Sequence, residues 1–364
     1  CMTVLVTGAS GFIGSHVVLE LLRRGYSVKA MMRDLSYSSM FEDDERLEFV
    51  KADLLDAASL KNAILGCDDV IHCAASLHIG TKNVRKDVLD PSIKGIQNLC
   101  SVMGGVERIV HTSSVAAIRP TNYQNGQTFS SKDWCRDASP TSNPYGYAKS
   151  EAESFVRDWS QKNDVKLVTI NPSIVFGPIL HKKHMDGSMS YLKHFSRKSK
   201  FILDIHINFV DVRDVAIAHV NALDLANNGD RFLIHKTGLW MKEIGEVLNS
   251  KMGRGFATMR LPNLIAYTLA FFHPKLSIKM LRSALGRYVN YDVSDSFNTL
   301  SLPNYDGTCE GTYSLQADGK GTWQIGCTNK MGAAGTLKWG DGGVTGSGRD
   351  HNDKKVKFTV SKQS

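Results

Sequence analysis

Residues 4–14 read Val4-Leu5-Val6-Thr7-Gly8-Ala9-Ser10-Gly11-Phe12-Ile13-Gly14, and they decide the fold expected for this chain. The apolar run predicts a short buried strand, and a helix is expected over 15–24. A strand that ends in a glycine-rich turn and opens a helix directs backbone N–H groups and the helix dipole at one point, which favours a phosphate. Gly8 permits the tight turn, Gly11 lets the backbone approach a pyrophosphate, and Gly14 allows close packing of helix on strand.

Strand and helix patterns alternate along the next stretch of chain. Further strands are expected at 26–32, 47–52, 69–73, 106–112 and 165–171, and helices at 56–65, 84–102 and about 144–162. Residues 172–178 are expected to leave the sixth strand as a loop. This alternation predicts an α/β fold with a parallel sheet and right-handed crossovers.

Composition narrows the function classes. The 364 residues suffice for two or three domains and carry a formal net charge of +8. The basic residues are scattered, so a nucleic-acid partner is not expected, whereas a pocket for a phosphate or an acidic substrate fits the same excess. The seven cysteines form no C-x-x-C pair and have no histidines at zinc spacing, so no metal is expected and a reducing, cytoplasmic compartment is favoured.

Membrane association is not expected from the sequence. No secretory signal precedes the first strand. The most apolar later run, residues 264–272, is too short to cross a bilayer.

Side chains at the ends of the expected strands outline a dinucleotide site. Met32 and Arg33 close the second strand, where a guanidinium suits a 2′-phosphate and an acidic residue would instead accept from a ribose hydroxyl. Asp53 follows the third strand, where its side chain could bond an adenine amino group. Ala74 and Ala75 follow the fourth strand and leave room for a cofactor. A solvated arginine after a strand is the alternative for Arg33.

Tyr145 and Lys149 lie four residues apart in an expected helix, so they share one face. A cation beside a tyrosine favours the phenolate and eases proton transfer near neutral pH. The hydroxyl of Ser114, just after the fifth strand, could hold a substrate oxygen against the tyrosine. Taken alone, such a pair is an ordinary helix surface, so its meaning depends on the phosphate turn upstream.

Residues 179–208 are irregular and basic, with Lys182, Lys183 and His184 among their charged side chains. The segment is either a substrate lid or a solvated basic surface, and the sequence favours neither.

Four features occur in one order, namely Thr7–Gly14, Asp53-Leu54, Ser113-Ser114 and Tyr145-x-x-x-Lys149. Together they resemble the extended short-chain dehydrogenase/reductase family, within the NAD-dependent epimerase/dehydratase superfamily. Further stretches are similar to its branch of dihydroflavonol reductases and cinnamoyl-CoA reductases, namely Arg33-Asp34, Asp133-Trp134, residues 171–178 and residues 209–219.

The resemblance covers residues 1–302 and implies a Rossmann-type doubly wound parallel sheet. Its cofactor part is expected mainly in 1–175 and a small substrate-binding part mainly in 176–302. The family's catalytic triad falls on Ser114, Tyr145 and Lys149. Its cofactor-binding positions fall on Gly8, Ser10, Gly11, Phe12, Ile13, Gly14, Arg33, Asp53, Leu54, Ala74, Ala75, Thr112, Tyr145, Lys149, Pro172, Ser173 and Val175.

The resemblance implies hydride transfer from NADPH, with NADH as the alternative cofactor, to a carbonyl carbon. The leading hypothesis is a reductase of a small or medium-sized aldehyde or ketone, acting as a monomer or homodimer. A nucleotide-sugar epimerase or dehydratase is one alternative, against which Met32-Arg33 and Pro172-Ser173 count. A 3β-hydroxysteroid dehydrogenase-like enzyme and a non-catalytic dinucleotide-binding scaffold are the others.

The tail, residues 304–364, differs in composition and holds 12 of the 31 glycines and no proline. A small antiparallel β meander is predicted from runs with strand character at 311–315, 321–325, 335–339 and 356–360. Cys309 and Cys327 could approach across strands, although a reducing compartment argues against a disulfide. The family resemblance does not extend to the tail, for which a binding module, an oligomerisation element and a fusion without a catalytic role all stay open.

Overall fold

The computed structural model describes residues 2–74, 83–192, 195, 201–253, 255–272, 278–300, 302, 309–316, 319–327, 332–340, 343–350 and 355–361. The chain divides into two compact units, Cys1–Ser301 and Leu302–Ser364. Each unit is described by itself.

Unit 1 alternates strands and helices. Its strands are β1 (Thr3–Thr7), β2 (Ser27–Met32), β3 (Leu47–Lys51), β4 (Asp69–His72), β5 (Arg108–Thr112), β6 (Thr128–Phe129), β7 (Lys166–Pro172), β8 (Ile174–Phe176), β9 (Phe201–Ile202), β10 (His206–Asp211), β11 (Arg231–Ile234), β12 (Thr237–Trp240), β13 (Met259–Arg260) and β14 (Asn290–Tyr291). Its α-helices are α1 (Phe12–Arg23), α2 (Ala57–Ile64), α3 (Asp90–Val102), α4 (Pro144–Asn163), α5 (Val212–Leu225), α6 (Met241–Met252), α7 (Asn263–Phe272), α8 (Ile278–Ala284) and α9 (Ser294–Thr299).

A seven-stranded parallel sheet forms the centre of unit 1, in the order β11-β7-β5-β4-β1-β2-β3. The strand order reverses between β1 and β4. At such a switch point, the carboxyl ends of the strands leave a crevice in which doubly wound sheets bind ligands. The predicted Rossmann-type α/β fold is confirmed.

The core of this unit is made of apolar side chains from the sheet and its covering helices. Val4, Leu5 and Val6 of β1 are fully buried, as a continuous apolar run in a parallel sheet requires. Leu5 shares one hydrophobic cluster with Leu60 of α2 and Leu99 of α3. Together these contacts hold the end of β1, and hence the glycine-rich turn, in a fixed position.

Two predicted elements differ from the structure. The helix expected over 84–102 begins as a π-helical turn, Arg85–Leu89, and its backbone stays helical into α3, where Pro91 lacks the N–H that would continue the ladder. The loop expected over 172–178 is wrong, because it contains β8. This strand pairs in parallel with β10, which also pairs with β12 in a second sheet. The partner strand lies some thirty residues along the chain, so local sequence pattern does not reveal it.

Unit 2 is an antiparallel meander in which each strand pairs with the next. Its strands are β15 (Cys309–Leu315), β16 (Lys320–Cys327), β17 (Gly332–Gly340), β18 (Gly343–Asp350) and β19 (Lys355–Ser361). Trp323 and Leu337 are buried on one face. The register places Cys309 opposite Cys327. The sequence predicted four of these strands and missed β18, because its glycines and polar residues have little strand propensity.

Among the described residues, none of the helices combines the length and the apolar character that crossing a bilayer requires.

Candidate active site

The glycine-rich turn joins β1 to α1 at the switch point of the sheet. Gly8 has a φ of 68°, which favours glycine, and a Cβ there would lie 2.7 Å from the Cα of Ala74. A Cβ on Gly14 would collide with the carbonyl oxygen of Gly8, which accepts a hydrogen bond of 2.8 Å from the N–H of Gly11. Gly11 immediately precedes α1 and offers no side-chain cap to its first N–H groups. The turn therefore forms a backbone cradle of the kind that receives a pyrophosphate.

The other predicted residues of this half of the site surround the cradle. Ser10, Phe12 and Ile13 are half-buried at the start of α1. Ala74 donates its N–H to the Thr7 hydroxyl at 3.3 Å, just beyond β4. Ala75 lies outside the described residues.

The ends of β2 and β3 present the residues predicted to face the adenosine. Arg33 is exposed just after β2. The Asp34 carboxylate is engaged locally, because it accepts the N–H two residues on at 2.9 Å and caps a short 3₁₀-helix. Asp53 makes the same local bond at 2.9 Å after β3. Leu54 is buried, and it approaches Gly95 of α3 closely.

Helix α4 carries the predicted tyrosine and lysine on one face. It begins at Pro144 because the Asn143 side chain caps it, accepting the N–H of Gly146 at 3.0 Å. Lys149 is buried one turn beyond Tyr145. The cap therefore fixes the start of the helix that positions both side chains.

Ser114, Tyr145 and Lys149 meet at the carboxyl end of β5. The Lys149 ammonium donates to the carbonyl oxygen of Thr112, the last residue of that strand, at 3.1 Å. The hydroxyl of Ser114 lies near enough to Tyr145 to act on the pKa of its phenol. The structure thus brings together the three side chains that were predicted to be catalytic.

Burial dominates the protonation of this set. It raises the pKa of Tyr145, while the hydrogen bond from Ser114 acts in the opposite direction. The largest influence on the tyrosine is therefore desolvation, rather than the expected effect of the neighbouring lysine. Burial also lowers the pKa of Lys149 to about 8, partly offset by the negative charge of Glu153. Tyr145 keeps its proton at neutral pH, as a proton donor must.

A buried carboxylate, Glu153, lies one turn beyond the lysine and was missed by the sequence analysis. It accepts hydrogen bonds from the Ser113 hydroxyl at 2.5 Å, the Asn171 amide at 2.9 Å and the Arg231 guanidinium at 2.5 Å. Because Ser113 is engaged there, Ser114 is the serine beside the tyrosine. The available signal was the helical spacing of the Tyr/Lys pair, which continues to a third position at Glu153.

The segment after β7 is ordered by strand pairing. Pro172 ends β7, and Ser173 is buried with its hydroxyl oxygen 3.2 Å from Nδ1 of His235. Val175 is buried within β8. These three residues, all predicted to bind the cofactor, therefore lie on or between paired strands near the carboxyl end of the sheet.

Three buried histidines lie beneath the site and were also missed. Nδ1 of His72 is 2.7 Å from the Thr7 hydroxyl, and its ring stacks on that of His111 with 5.4 Å between centroids. Nε2 of His219 is 2.7 Å from the Thr112 hydroxyl. Burial lowers the pKa of His72 to about 3, that of His219 to about 4 and that of His111 well below its usual value, so all three rings are neutral at pH 7. The signal was a histidine in each of two strands that pair in register.

The basic segment 179–208 is described at 179–192, 195 and 201–208. It begins with two 3₁₀-helices, Lys182–Asp186 and Ser188–Leu192. Across the described residues, no group of three or more His, Cys, Asp or Glu side chains is placed to hold a metal ion.

Comparison with known proteins gives consistent matches. Residues 4–234 match the family model described as "NAD dependent epimerase/dehydratase family". Cinnamoyl-CoA reductase 2 of Medicago truncatula is 32% identical over 264 residues, which cover 68% of this chain and 75% of that protein. Dihydroflavonol 4-reductase of Hordeum vulgare is 34% identical over 191 residues, 49% of this chain and 54% of that protein.

A similar solved structure is Gre2 of Candida albicans in complex with NADPH. It superimposes with a TM-score of 0.69 at 25% identity, over 84% of this chain and 95% of that one. The predicted oxidoreductase class is confirmed by these relatives, which also support NADP(H) as the cofactor, with NAD as the alternative.

Proposed function

The chain belongs to the NAD dependent epimerase/dehydratase family, as its motifs predict, and we propose that it is an NADPH-dependent reductase of an aldehyde or ketone carbonyl. The observation that carries the proposal is the meeting of Ser114, Tyr145 and Lys149 at the end of β5. This edge of the sheet also holds the glycine-rich cradle, so a dinucleotide lying along the edge reaches both. Arg33 supports the phosphorylated cofactor, because it stands where an acidic residue would favour NAD.

The backbone cradle and its neighbours fit a dinucleotide. Gly8 and Gly14 allow the turn to pack tightly against Ala74 and against its own backbone, and this tight turn at the start of α1 is what a pyrophosphate site requires. The residues proposed to hold the cofactor are Gly8, Ser10, Gly11, Phe12, Ile13, Gly14, Arg33, Asp53, Leu54, Ala74, Ala75, Thr112, Tyr145, Lys149, Pro172, Ser173 and Val175.

The bound cofactor supplies the hydride, and the residues of this chain do the rest. Ser114 holds the carbonyl oxygen of the substrate by a hydrogen bond. Tyr145 gives its proton to that oxygen as negative charge develops there. Lys149, anchored on the Thr112 carbonyl, bonds the nicotinamide ribose and stabilises the phenolate that remains. Glu153 helps to keep this lysine charged.

The function is tested by following NADPH absorbance with a panel of aldehydes, ketones and a cinnamoyl-CoA thioester. We expect NADPH to be consumed in fixed stoichiometry with the reduced product. If the purified protein instead carries tightly bound NAD and interconverts a nucleotide sugar with no net change in cofactor, it is an epimerase. A protein that binds NADPH but turns over no member of a broad panel would favour the scaffold.

Arg33→Ala tests the cofactor preference. Loss of a charged hydrogen bond to the 2′-phosphate is expected to lower kcat/KM for NADPH by about 10- to 100-fold and to leave NADH nearly unaffected. An unchanged preference would remove Arg33 from the site.

Compartment and assembly complete the proposal. Cys67, Cys73, Cys100 and Cys135 are free thiols, which fits a reducing compartment such as the cytoplasm. We place the protein there as a monomer or homodimer acting on a small molecule. Light scattering of the purified chain tests the assembly, and a stable higher oligomer would contradict it.

A further inference from the structure

Two neighbouring side chains of the basic segment, Lys183 and His184, bind the glycine-rich turn itself. The Lys183 ammonium donates to the Ser10 hydroxyl at 3.0 Å. Nε2 of His184 lies 3.1 Å from the Ser10 carbonyl oxygen. The 3₁₀-helix Lys182–Asp186 therefore lies across the cofactor cradle.

His184 holds this helix in place as a fixed anchor. It is only 3% exposed, and its ring packs against Phe12 of α1 with 5.6 Å between centroids. Its Nδ1 accepts the N–H of Leu180 at 3.4 Å, so Nε2 carries the proton and donates to Ser10. Burial lowers the pKa of His184, which keeps the ring in this neutral form. The buried His184 therefore anchors the segment that carries Lys183, so Lys183 contacts the turn from an ordered helix and not from a solvated loop.

The Lys183 ammonium also contacts the adenosine end of the site. It stands 3.5 Å from the centroid of the Tyr37 ring, in the 3₁₀-helix that follows β2. Partial burial and the nearby Arg33 guanidinium lower the pKa of Lys183, whereas Asp34 raises it. Two cations from separate parts of the chain therefore act on each other at the adenosine end, where the one carboxylate that acts on Lys183 is already engaged as a helix cap.

Two cations that repel each other are stabilised when an anion binds between them. The groups that surround this spot are those a phosphate monoester requires, namely an ammonium, a guanidinium and a hydroxyl. The pyrophosphate of the same cofactor lies over the backbone cradle, so the phosphate left for the two cations is the one on the adenosine ribose.

We propose that Lys183 is a binding residue for the 2′-phosphate of NADPH, which it holds together with Arg33. The inference rests on the proposed function, because it takes NADPH as the cofactor. It assigns a role to part of the basic segment that the sequence left open between a substrate lid and a solvated surface. Cofactor selectivity then depends on two elements separated by about 150 residues of chain, rather than on the end of β2 alone.

Calorimetry with two fragments tests this role without turnover. Adenosine 2′,5′-diphosphate and adenosine 5′-monophosphate differ only in the 2′-phosphate. For Lys183→Met in the full chain, we expect the Kd of the diphosphate to rise by about 10- to 100-fold and that of the monophosphate to change by less than about twofold. Lys182→Met removes the same charge from the exposed neighbouring residue and is expected to change neither. Lys183→Arg should retain most of the diphosphate affinity.

The outcomes separate this inference from the function. An equal loss of affinity for both fragments would overturn it, because Lys183 would then bind another phosphate or be needed for folding. Circular dichroism of the variant distinguishes these two cases. Unchanged binding of both would overturn it by reducing Lys183 to a structural contact. In either case, a wild-type chain that prefers NADPH leaves the reductase proposal intact. A wild-type chain that does not bind NADPH overturns both.

Discussion

Glycines allow close backbone contacts in both units of this protein, but with different results. In unit 1, a Cβ on Gly8 or Gly14 would collide with the backbone of Ala74 or of Gly8, so these glycines allow a tight turn in front of a helix. In unit 2, Gly335 of β17 lies opposite Gly348 of β18, and a Cβ on either would collide with the backbone of the neighbouring strand. The first pair shapes a turn that leads into a helix, whereas the second lets two strands approach.

This difference shows that the number of glycines in a segment does not predict a binding site unless the neighbouring strands and helices are considered. The turn glycines lie between a buried apolar strand and an amphipathic helix, so their N–H groups remain available to a phosphate. The strand glycines lie within a ladder whose N–H groups pair with the next strand. Function is therefore expected in unit 1.

Removal of the Tyr145 hydroxyl in unit 1 should have the largest effect on activity. Tyr145→Phe keeps the ring and deletes the transferable proton, so kcat for carbonyl reduction is expected to fall about 10²- to 10⁴-fold with NADPH binding retained. Tyr147→Phe, on the same helix but a different face, is the matched control and should stay near wild type. Single-turnover kinetics with bound NADPH measures both, and full turnover by the Tyr145 variant would exclude it as the proton donor.

Adding a methyl group to a glycine of each unit sharpens the comparison. Gly14→Ala forces the new Cβ into the Gly8 carbonyl, so the Kd for NADPH is expected to rise about 10- to 100-fold. Gly335→Ala makes a similar clash with the Ser347 carbonyl, and it should destabilise unit 2 while changing the Kd by less than about twofold. Calorimetry reports the binding. Equal loss in both variants would show that the two units are not independent.

Mild acid should affect unit 1 through its buried histidines. The pKa of His72 is about 3 and that of His219 about 4 in the folded state, both below the ordinary value of 6.5. Between pH 4 and 6.5 these histidines are protonated in the unfolded chain but stay neutral in the folded one. The free energy of unfolding is therefore highest above pH 6.5 and falls as the pH is lowered towards 4. Each such histidine lowers the free energy of unfolding by about 1.4 kcal/mol for every pH unit of acidification in that range.

Urea unfolding at pH 7.5 and 5.0 measures this loss. In the described residues every α-helix belongs to unit 1, so the helical circular dichroism signal reports its unfolding. We expect a lower midpoint at pH 5.0, and a smaller difference for His219→Gln. Identical midpoints at the two pH values would contradict the neutral histidines.

Removal of unit 2 should have the smallest effect. A chain cut after Leu302 keeps every residue proposed to bind the cofactor, so its Kd for NADPH is expected to stay within about twofold of the full chain. Circular dichroism checks that the shortened chain folds. A folded chain that does not bind NADPH would place part of the site in the tail.

The sequence predicted those features that depend on residues close together in the chain. The strand, turn and helix around Gly8 follow from one continuous stretch, and Tyr145 with Lys149 follows from helical spacing. The missed features join residues far apart, such as the Glu153–Arg231 ion pair and the stacked rings of His72 and His111. Their partners are set by strand order, which no local pattern contains.

The order of strands in the central sheet also sets how it can grow on the ribosome. Each strand, taken in chain order, pairs with one already made at the edge of the sheet, from β1 outwards to β3 on one side and β11 on the other. No strand has to insert between two that are already paired, so nascent chain can add to the sheet as it emerges. The ion pair of Glu153 with Arg231 can form only later, because Arg231 is synthesised 78 residues after Glu153. The charge balance behind Lys149 is therefore complete only when the last strand of the sheet has joined.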